Sequence, residues 1–213
     1  MTSGRHSDRG QAFPIYIVVI AGLLFAALAF FVVGRAAITR SDAQGAADAA
    51  ALAAGREARD AVLLNLDLAA LKPADWEKIV DGDLFKGGEA CAAADAFAAK
   101  NDGKVTLCDP APPRFTVSVE TNATVGDSVI PETGSRHGTA TATALVQAKC
   151  SLSAAPTPSP TLTAPTEGSA PAPTPSPSTV AFTCGGELVK LDPLKPGSLS
   201  ALTRRLFSVR LVG

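Results

Sequence analysis

The chain has 213 residues, of which 18% are charged and 46% are hydrophobic, and its formal net charge is −1. This balance gives no broad cationic face, so we expect no nucleic-acid partner. Outside its low-complexity part, a chain of this length can bury one modest hydrophobic core.

The residues from Phe13 to Val33 form an apolar stretch without a charged side chain. About 20 apolar residues are enough for one helix to cross the hydrocarbon core of a bilayer. We therefore predict a single transmembrane helix at 13–33, after a polar leader at 1–12. Two arginines in the leader favour a cytoplasmic N-terminus, which places the rest of this single-pass cell-membrane protein outside the cytoplasm.

A cleaved secretory signal is the alternative interpretation of the same stretch. Gly34 and Ala36 supply the small residues that a signal peptidase site requires. The apolar region of a signal peptide is normally about 7–15 residues long, which is shorter than this one. We favour a retained helix, and both interpretations export the rest of the chain.

Helices are predicted to dominate the first part of the exported domain. Alanine is the commonest residue from Ala36 to Leu71, so the transmembrane helix is expected to continue until Pro73 ends it. A short helix capped by Asp75 is expected next. A further helix fits Glu89–Lys100, because the residues after it readily adopt left-handed conformations.

Apolar and polar residues begin to alternate near residue 104. This two-residue period predicts strands at Lys104–Cys108, Phe115–Glu120 and Thr139–Ala148, and the alternation returns at 206–212. Helices followed by strands indicate an α+β fold. In it, the long N-terminal helix covers one face of a small antiparallel sheet.

A segment of Pro, Ser, Thr and Ala interrupts this pattern. Its composition cannot bury a core and favours extended conformations, so residues 154–179 are predicted to be a disordered linker, with O-glycosylation as a secondary hypothesis. The predicted organisation is therefore a leader at 1–12, a transmembrane helix at 13–33, an extracytoplasmic α+β domain at 34–153, the linker at 154–179 and a C-terminal strand segment at 180–213.

The four cysteines are Cys91, Cys108, Cys150 and Cys184. An even number in a small exported domain usually forms disulfides. Of the three possible pairings we favour Cys91 with Cys108 and Cys150 with Cys184, because these pairs close the shortest loops. No two cysteines have the close spacing of a zinc site.

The sequence contains no catalytic motif of the GxSxG, HExxH or GxxxxGK[ST] type. His137 is the only histidine after the apolar stretch, and it lies in a turn-rich region. The turn from Asp81 to Asp83 has no downstream glutamate to complete a calcium loop. We therefore predict a protein that is not an enzyme and that binds no cofactor or metal.

Two elements near the N-terminus resemble a known family. Asp8-Arg9-Gly10-Gln11-Ala12 precedes the apolar helix, and an alanine-rich element (AADAAALAA, residues 46–54) follows it. This arrangement resembles the N-terminal domain of the TadE/TadG-like proteins of Flp/Tad pilus assembly, and the rest is similar to actinobacterial TadG-related members. The resemblance implies a single-pass membrane component, or a minor pilin-like subunit, whose partners are other subunits of the pilus or secretion machinery.

The resemblance also implies a processing site between Gly10 and Gln11. In pseudopilin-like members a peptidase cuts after a glycine, and a glutamate stands at the fifth position of the mature chain. Ile15 occupies that position here. An uncleaved, anchored accessory subunit is therefore favoured over a fibre subunit.

Small residues along the helix favour contacts between helices. Gly22 and Ala26 lie one turn apart, a spacing that lets a second helix approach closely in lipid, so self-association through this helix is predicted. The alanine-rich element also permits close packing, either against a partner or against the chain's own domain.

The functional hypothesis is a non-catalytic structural or assembly component of a Flp/Tad-type pilus or secretion apparatus. The alternative is a membrane-tethered module for cell-surface binding or display, which presents a disulfide-stapled Pro-rich segment. A hydrolase is the third hypothesis, and no motif supports it.

Overall fold

A computed structural model of the chain describes residues 12–64, 66–126, 133–153 and 179–213. Its helices are α1 (Ala12–Ala61), α2 (Pro73–Asp81), α3 (Ala90–Lys100) and α4 (Leu199–Leu206), with a 3-10 turn at Thr133–Ser135. Its strands are β1 (Gly103–Ala111), β2 (Arg114–Thr124), β3 (His137–Ala148), β4 (Cys150–Leu152), β5 (Val180–Cys184), β6 (Glu187–Leu191) and β7 (Phe207–Val212). Nearly all of the predicted Pro-rich linker and the bond between Gly10 and Gln11 lie outside the described residues.

The strands form two antiparallel sheets. The larger sheet has the order β1-β2-β3-β7, and the smaller has the order β4-β5-β6. Thr143 of β3 lies opposite Thr116 of β2 on one side and opposite Val212 of β7 on the other. The strand nearest the C-terminus therefore completes the larger sheet, and the predicted α+β fold class is confirmed.

Helix α1 covers one face of the larger sheet. Phe115, Val117 and Val119 of β2 are buried on that face, and the residues between them are only half-buried. This is the alternation expected of a strand with one face on a core. The predicted packing of the long helix on a small antiparallel sheet is therefore confirmed.

Small side chains let α1 lie close to the sheet. A Cβ atom on Gly138 of β3 would meet the backbone carbonyl oxygen of Thr39 in α1. A Cβ atom on Gly103 of β1 would lie 2.6 Å from the Val119 side chain and 3.2 Å from Cβ of Ala46. Glycine is required at Gly138 because the backbone of α1 leaves no space for a Cβ atom, and at Gly103 because Val119 and Ala46 leave none.

Aromatic pairs attach the smaller sheet and α2 to this core. The rings of Trp76 and Phe182 meet edge to face at 5.7 Å, and those of Phe85 and Phe207 do so at 5.1 Å. Each pair joins residues far apart in the sequence, and all four side chains are buried. Such pairs typically contribute about 0.5–1.5 kcal/mol beyond the burial of their area.

Helix α1 ends at Ala61 and not near Leu71, so the predicted end of this helix was wrong. The chain turns there because Val62 and Leu63 are buried in the core, with the Leu64 N–H donating to the Ala61 carbonyl at 3.1 Å. Pro73 begins α2 instead of terminating α1.

Two further local expectations were wrong. The N-cap residue of α2 is Lys72 and not Asp75. Asp75 lies in the first turn, where its carboxylate accepts a hydrogen bond from the backbone N–H of Lys72 at 3.0 Å. Helix α4 was not predicted, although Ser198 caps it by accepting the Ala201 N–H at 3.4 Å. Helix α4 has 8 residues, which is too short for a helical period to stand out in the sequence.

Replacing Gly138 with alanine is expected to destabilise the protein by about 1–3 kcal/mol, because the added methyl group collides with the backbone of α1. Gly45→Ala is the matched control, since nothing lies within 4 Å of a Cβ atom there. It is expected to stabilise the helix by up to about 1 kcal/mol. Denaturant unfolding of both variants measures the difference, and equal effects would contradict the close packing.

Candidate assembly surface: the exposed half of α1

Helix α1 changes its environment at Thr39, the first residue along it that is buried. Before that point the helix projects beyond the domain, with Phe25 76% exposed and Phe30 84% exposed. We call residues 13–38 the exposed half of α1. Its large exposed apolar side chains are Phe13, Ile15, Tyr16, Ile17, Val18, Val19, Ile20, Leu23, Leu24, Phe25, Leu28, Phe30, Phe31, Val33 and Ile38.

This surface requires an apolar environment. Burying one large apolar side chain gains about 1.5–3 kcal/mol, so leaving all of these in water forfeits tens of kcal/mol. A small domain has a total stability of only about 5–15 kcal/mol. The helix is long and apolar enough to cross a membrane by length and composition.

The dimensions of the helix place the domain next to the apolar stretch. At 1.5 Å per residue, 13–33 spans about 31 Å, which matches a hydrocarbon core of about 30 Å. Thr39 follows after about 9 Å more. A membrane around 13–33 would therefore have the folded domain directly at its surface.

Polar contacts fix the helix where the two halves meet. Thr39 Oγ1 donates to the Arg35 carbonyl at 3.1 Å, and the Arg35 side chain lies against Gly126. On the sheet side, Thr121 Oγ1 accepts the Gly138 N–H at 2.9 Å. Gly126, just after β2, and Gly138, at the start of β3, therefore both lie close to α1 at this junction.

His137 belongs to the same junction. Its Nδ1 lies 2.7 Å from the carbonyl oxygen of Thr121, so this histidine holds the start of β3. Among the described residues, no group of three or more His, Cys, Asp or Glu side chains could hold a metal ion.

The alanine-rich element packs inside the chain's own domain. Its members Ala46, Ala47, Ala50, Ala51, Ala53 and Ala54 are at most 4% exposed. Helix α3 presents alanines of its own, Ala90, Ala94 and Ala98, and these are also buried. Alanine on both helices allows close approach of their backbones. The sequence left open whether this element packs against a partner or against the chain's own domain. In the structure it packs against the chain's own domain.

Gly22 and Ala26 lie on the exposed half of α1. Nothing comes within 4 Å of a Cβ atom built on Gly22. The face they form is therefore free within the described part of the chain, and their role in self-association stays a prediction.

Both disulfides are formed. Cys91 of α3 is joined to Cys108 of β1, with a Cα–Cα distance of 5.9 Å. Cys150 of β4 is joined to Cys184 of β5, with a Cα–Cα distance of 4.1 Å. The predicted presence of disulfides is confirmed, and these are the pairs that close the shortest loops.

A groove of about 380 Å³ lies between the end of α1 and the connection from α2 to α3. Sequence reasoning missed it, because its walls come from segments that are separate in the chain. Most of its lining residues are apolar, and Lys86 and three carboxylates also line it. Those carboxylates belong to Glu57, Asp83 and Glu89. The lining contains no serine, cysteine or histidine that could act as a nucleophile or as an imidazole base.

Within the residues that the structure describes, one candidate membrane helix continues into the core of an α+β domain. Residues 10–59 match the family model described as "Putative Flp pilus-assembly TadE/G-like". The predicted resemblance is therefore confirmed over both halves of α1, and it supports a role in pilus assembly. No curated protein and no solved structure gives a significant match.

Enlarging the alanine-rich element should damage the fold itself. Ala50→Leu is expected to destabilise the protein by about 1–3 kcal/mol, because Ala50 is fully buried and overpacking forces its neighbours apart. Ala36→Leu, at an exposed position of the same helix, is expected to change stability by less than about 0.5 kcal/mol. Thermal unfolding of the detergent-solubilised protein compares them. An unchanged Ala50→Leu variant would mean that the element is not part of the core.

Proposed function

We propose that this chain is a single-pass, membrane-anchored, non-catalytic subunit of a Flp/Tad-type pilus or secretion apparatus. The observation that carries the proposal is a coincidence of two features in one continuous helix. The family match covers residues 10–59, and the same helix has one half exposed and apolar and the other half buried in a domain. In this proposal 13–33 is the anchor.

The disulfides support an extracytoplasmic domain. Structural disulfides form and persist mainly in oxidising compartments outside the cytoplasm. Both bridges lie in the domain that follows the anchor. With one span, this orientation leaves the leader at 1–12 in the cytoplasm.

The domain is proposed to be one unit that includes 34–153 and 180–213. Strand β7 pairs with β3, and Phe207 packs against Phe85, so the last part of the chain contributes to the same core.

The second candidate function is display of the Pro-rich segment. Cys150 and Cys184 hold β4 beside β5, and the Ser153 N–H donates to the Ala181 carbonyl at 2.9 Å. The described residues that flank 154–178 are thereby held together on neighbouring strands. This geometry favours presentation as a loop, whereas the family match favours assembly.

Ala26→Leu is expected to reduce the amount of pilus machinery that co-purifies with this chain by about tenfold, because the larger side chain keeps a second helix at a distance. Leu24→Ile is the matched control, and it should retain the partners. Deleting 154–178 should retain them too if assembly is the function. Full co-purification with Ala26→Leu in a correctly inserted protein would contradict a packing role for Gly22 and Ala26.

The protein in its native membrane is expected to keep its original N-terminus. Ile15 lacks the carboxylate that the resemblance associates with processed subunits, so the bond between Gly10 and Gln11 should stay intact. Intact mass and N-terminal sequencing under non-reducing conditions measure this. A mature chain beginning at Gln11 would instead identify a fibre subunit.

A further inference from the structure

The groove between the end of α1 and the connection from α2 to α3 carries a net negative charge. Glu57, Asp83 and Glu89 each contribute a carboxylate to its lining, and Lys86 contributes an ammonium group. All four residues are exposed. Within the part of the chain that the structure describes, no ion pair joins any of them to another residue. The groove therefore combines an apolar lining with carboxylates that lack a cationic partner there.

Packing and a covalent bond hold one wall of the groove in place. Residues 83–90 form this wall, opposite the end of α1. A Cβ atom on Gly87 would lie 2.6 Å from the side chain of Pro110, so the wall lies directly against β1. Phe85 is buried in the core, and the disulfide between Cys91 and Cys108 ties the following helix to the same strand. Binding in the groove therefore requires little ordering of its walls.

A loop elsewhere on the domain has the complementary chemistry. We call residues 192–197, which connect β6 to α4, the Leu194 loop. Leu194 is 61% exposed, and Lys195 beside it is also exposed. An apolar side chain next to an ammonium group matches an apolar groove lined with carboxylates.

The Leu194 loop presents these two side chains in a fixed conformation. Asp192 Oδ1 accepts the Leu194 N–H at 2.9 Å, and the Lys195 N–H donates to the Asp192 carbonyl at 3.1 Å. Pro193 and Pro196 stand on either side of the pair, and each has a fixed φ. The Lys195 ammonium group forms no ion pair with any described residue. Binding through this loop therefore costs little conformational entropy.

We propose that the Leu194 loop of one copy of this chain binds in the groove of a second copy. Leu194 enters among the apolar lining residues, and the Lys195 ammonium group lies against the carboxylates. None of the lining residues comes from 180–213, so the loop does not fill the groove of its own chain. This contact joins the domains of two copies, and it does not rest on the assignment to a pilus apparatus.

Both surfaces lie at the end of the domain that is far from the exposed half of α1. Glu57 comes 18 residues after Thr39 on α1, a distance of about 27 Å. Gly138, at the start of β3, touches Thr39, whereas Val146 near the end of β3 lies beside Gly55. The smaller sheet begins directly after β3 and carries the Leu194 loop. Two copies with parallel helices can therefore stand side by side and make this contact.

The contact is head-to-tail, because the loop and the groove are different surfaces. A copy whose groove is filled still offers its own Leu194 loop to a further copy. Such contacts close into a ring or continue as an open row, depending on the rotation between neighbours. The proposal therefore gives the domain a means of forming a repeating assembly.

Photo-crosslinking of the full-length chain in its native membrane tests this contact. A photoreactive analogue of leucine replaces Leu194, and a second version carries it in place of Leu107, a leucine of β1 that is 57% exposed. The Leu194 position is expected to give an adduct of two copies, and the Leu107 position is not. Mass spectrometry is expected to find residues 192–197 of one copy joined to 57–66 or 83–90 of the other.

Charge reversal then tests which groups hold the two copies together. Lys195→Glu places a carboxylate against the carboxylates of the groove, so it is expected to reduce the adduct about tenfold. Lys104→Glu is the matched control, since it makes the same change in charge at an exposed position of β1 and should retain the adduct. Adding Glu57→Lys to Lys195→Glu reverses both partners and is expected to recover part of the adduct. An unchanged melting temperature shows that each variant folds.

An adduct with a different protein, an adduct that joins two Leu194 loops, or no adduct would each overturn the proposal. A full adduct in Lys195→Glu, or no recovery in the double variant, would overturn it too. Co-purification with the pilus machinery distinguishes this failure from failure of the proposed function. If the machinery is retained while copies form no adduct, the chain is a subunit without this contact. If the machinery is absent while the adduct forms, the proposed function fails and the contact stands.

Discussion

The structure depends on one continuous helix that serves two environments. Residues 13–38 of α1 require an apolar solvent, and from Thr39 onwards the same helix is the central element of a folded core. Small residues make this possible, because alanines on α1 and glycines at 103 and 138 let the sheet approach the backbone. The match to the pilus-assembly family spans both parts, so the matched unit is the exposed apolar half together with the half that organises the domain.

Much of the fold could be predicted from local patterns. The alternation at 115–120 identified β2, because one face of that strand is buried and the other is not. Asp102 has a φ of 53°, as expected of the left-handed turn after α3. The end of α1 could not be predicted, since it depends on the burial of Val62 and Leu63 by distant segments. Composition from 62 to 71 continues to favour helix.

The functional surface was predictable only in part. The apolar stretch is visible in the sequence, because it needs no tertiary information. The role of the alanine-rich element was not, since small residues permit close packing without specifying the neighbour. The pairing of β3 with β7, which places Val212 opposite Thr143, was hidden for another reason. Register between strands about 70 residues apart is set by the whole core.

The continuity of α1 also has a mechanical consequence. Because no break separates its two halves, a force along the exposed half is carried by the helix and loads the interface between α1 and the sheet in shear. Close contacts resist sliding of the helix along the sheet there, between Thr39 and Gly138 and between Ala46 and Gly103. A pull on the exposed half is therefore transmitted directly to the domain, because the helix is continuous between the two.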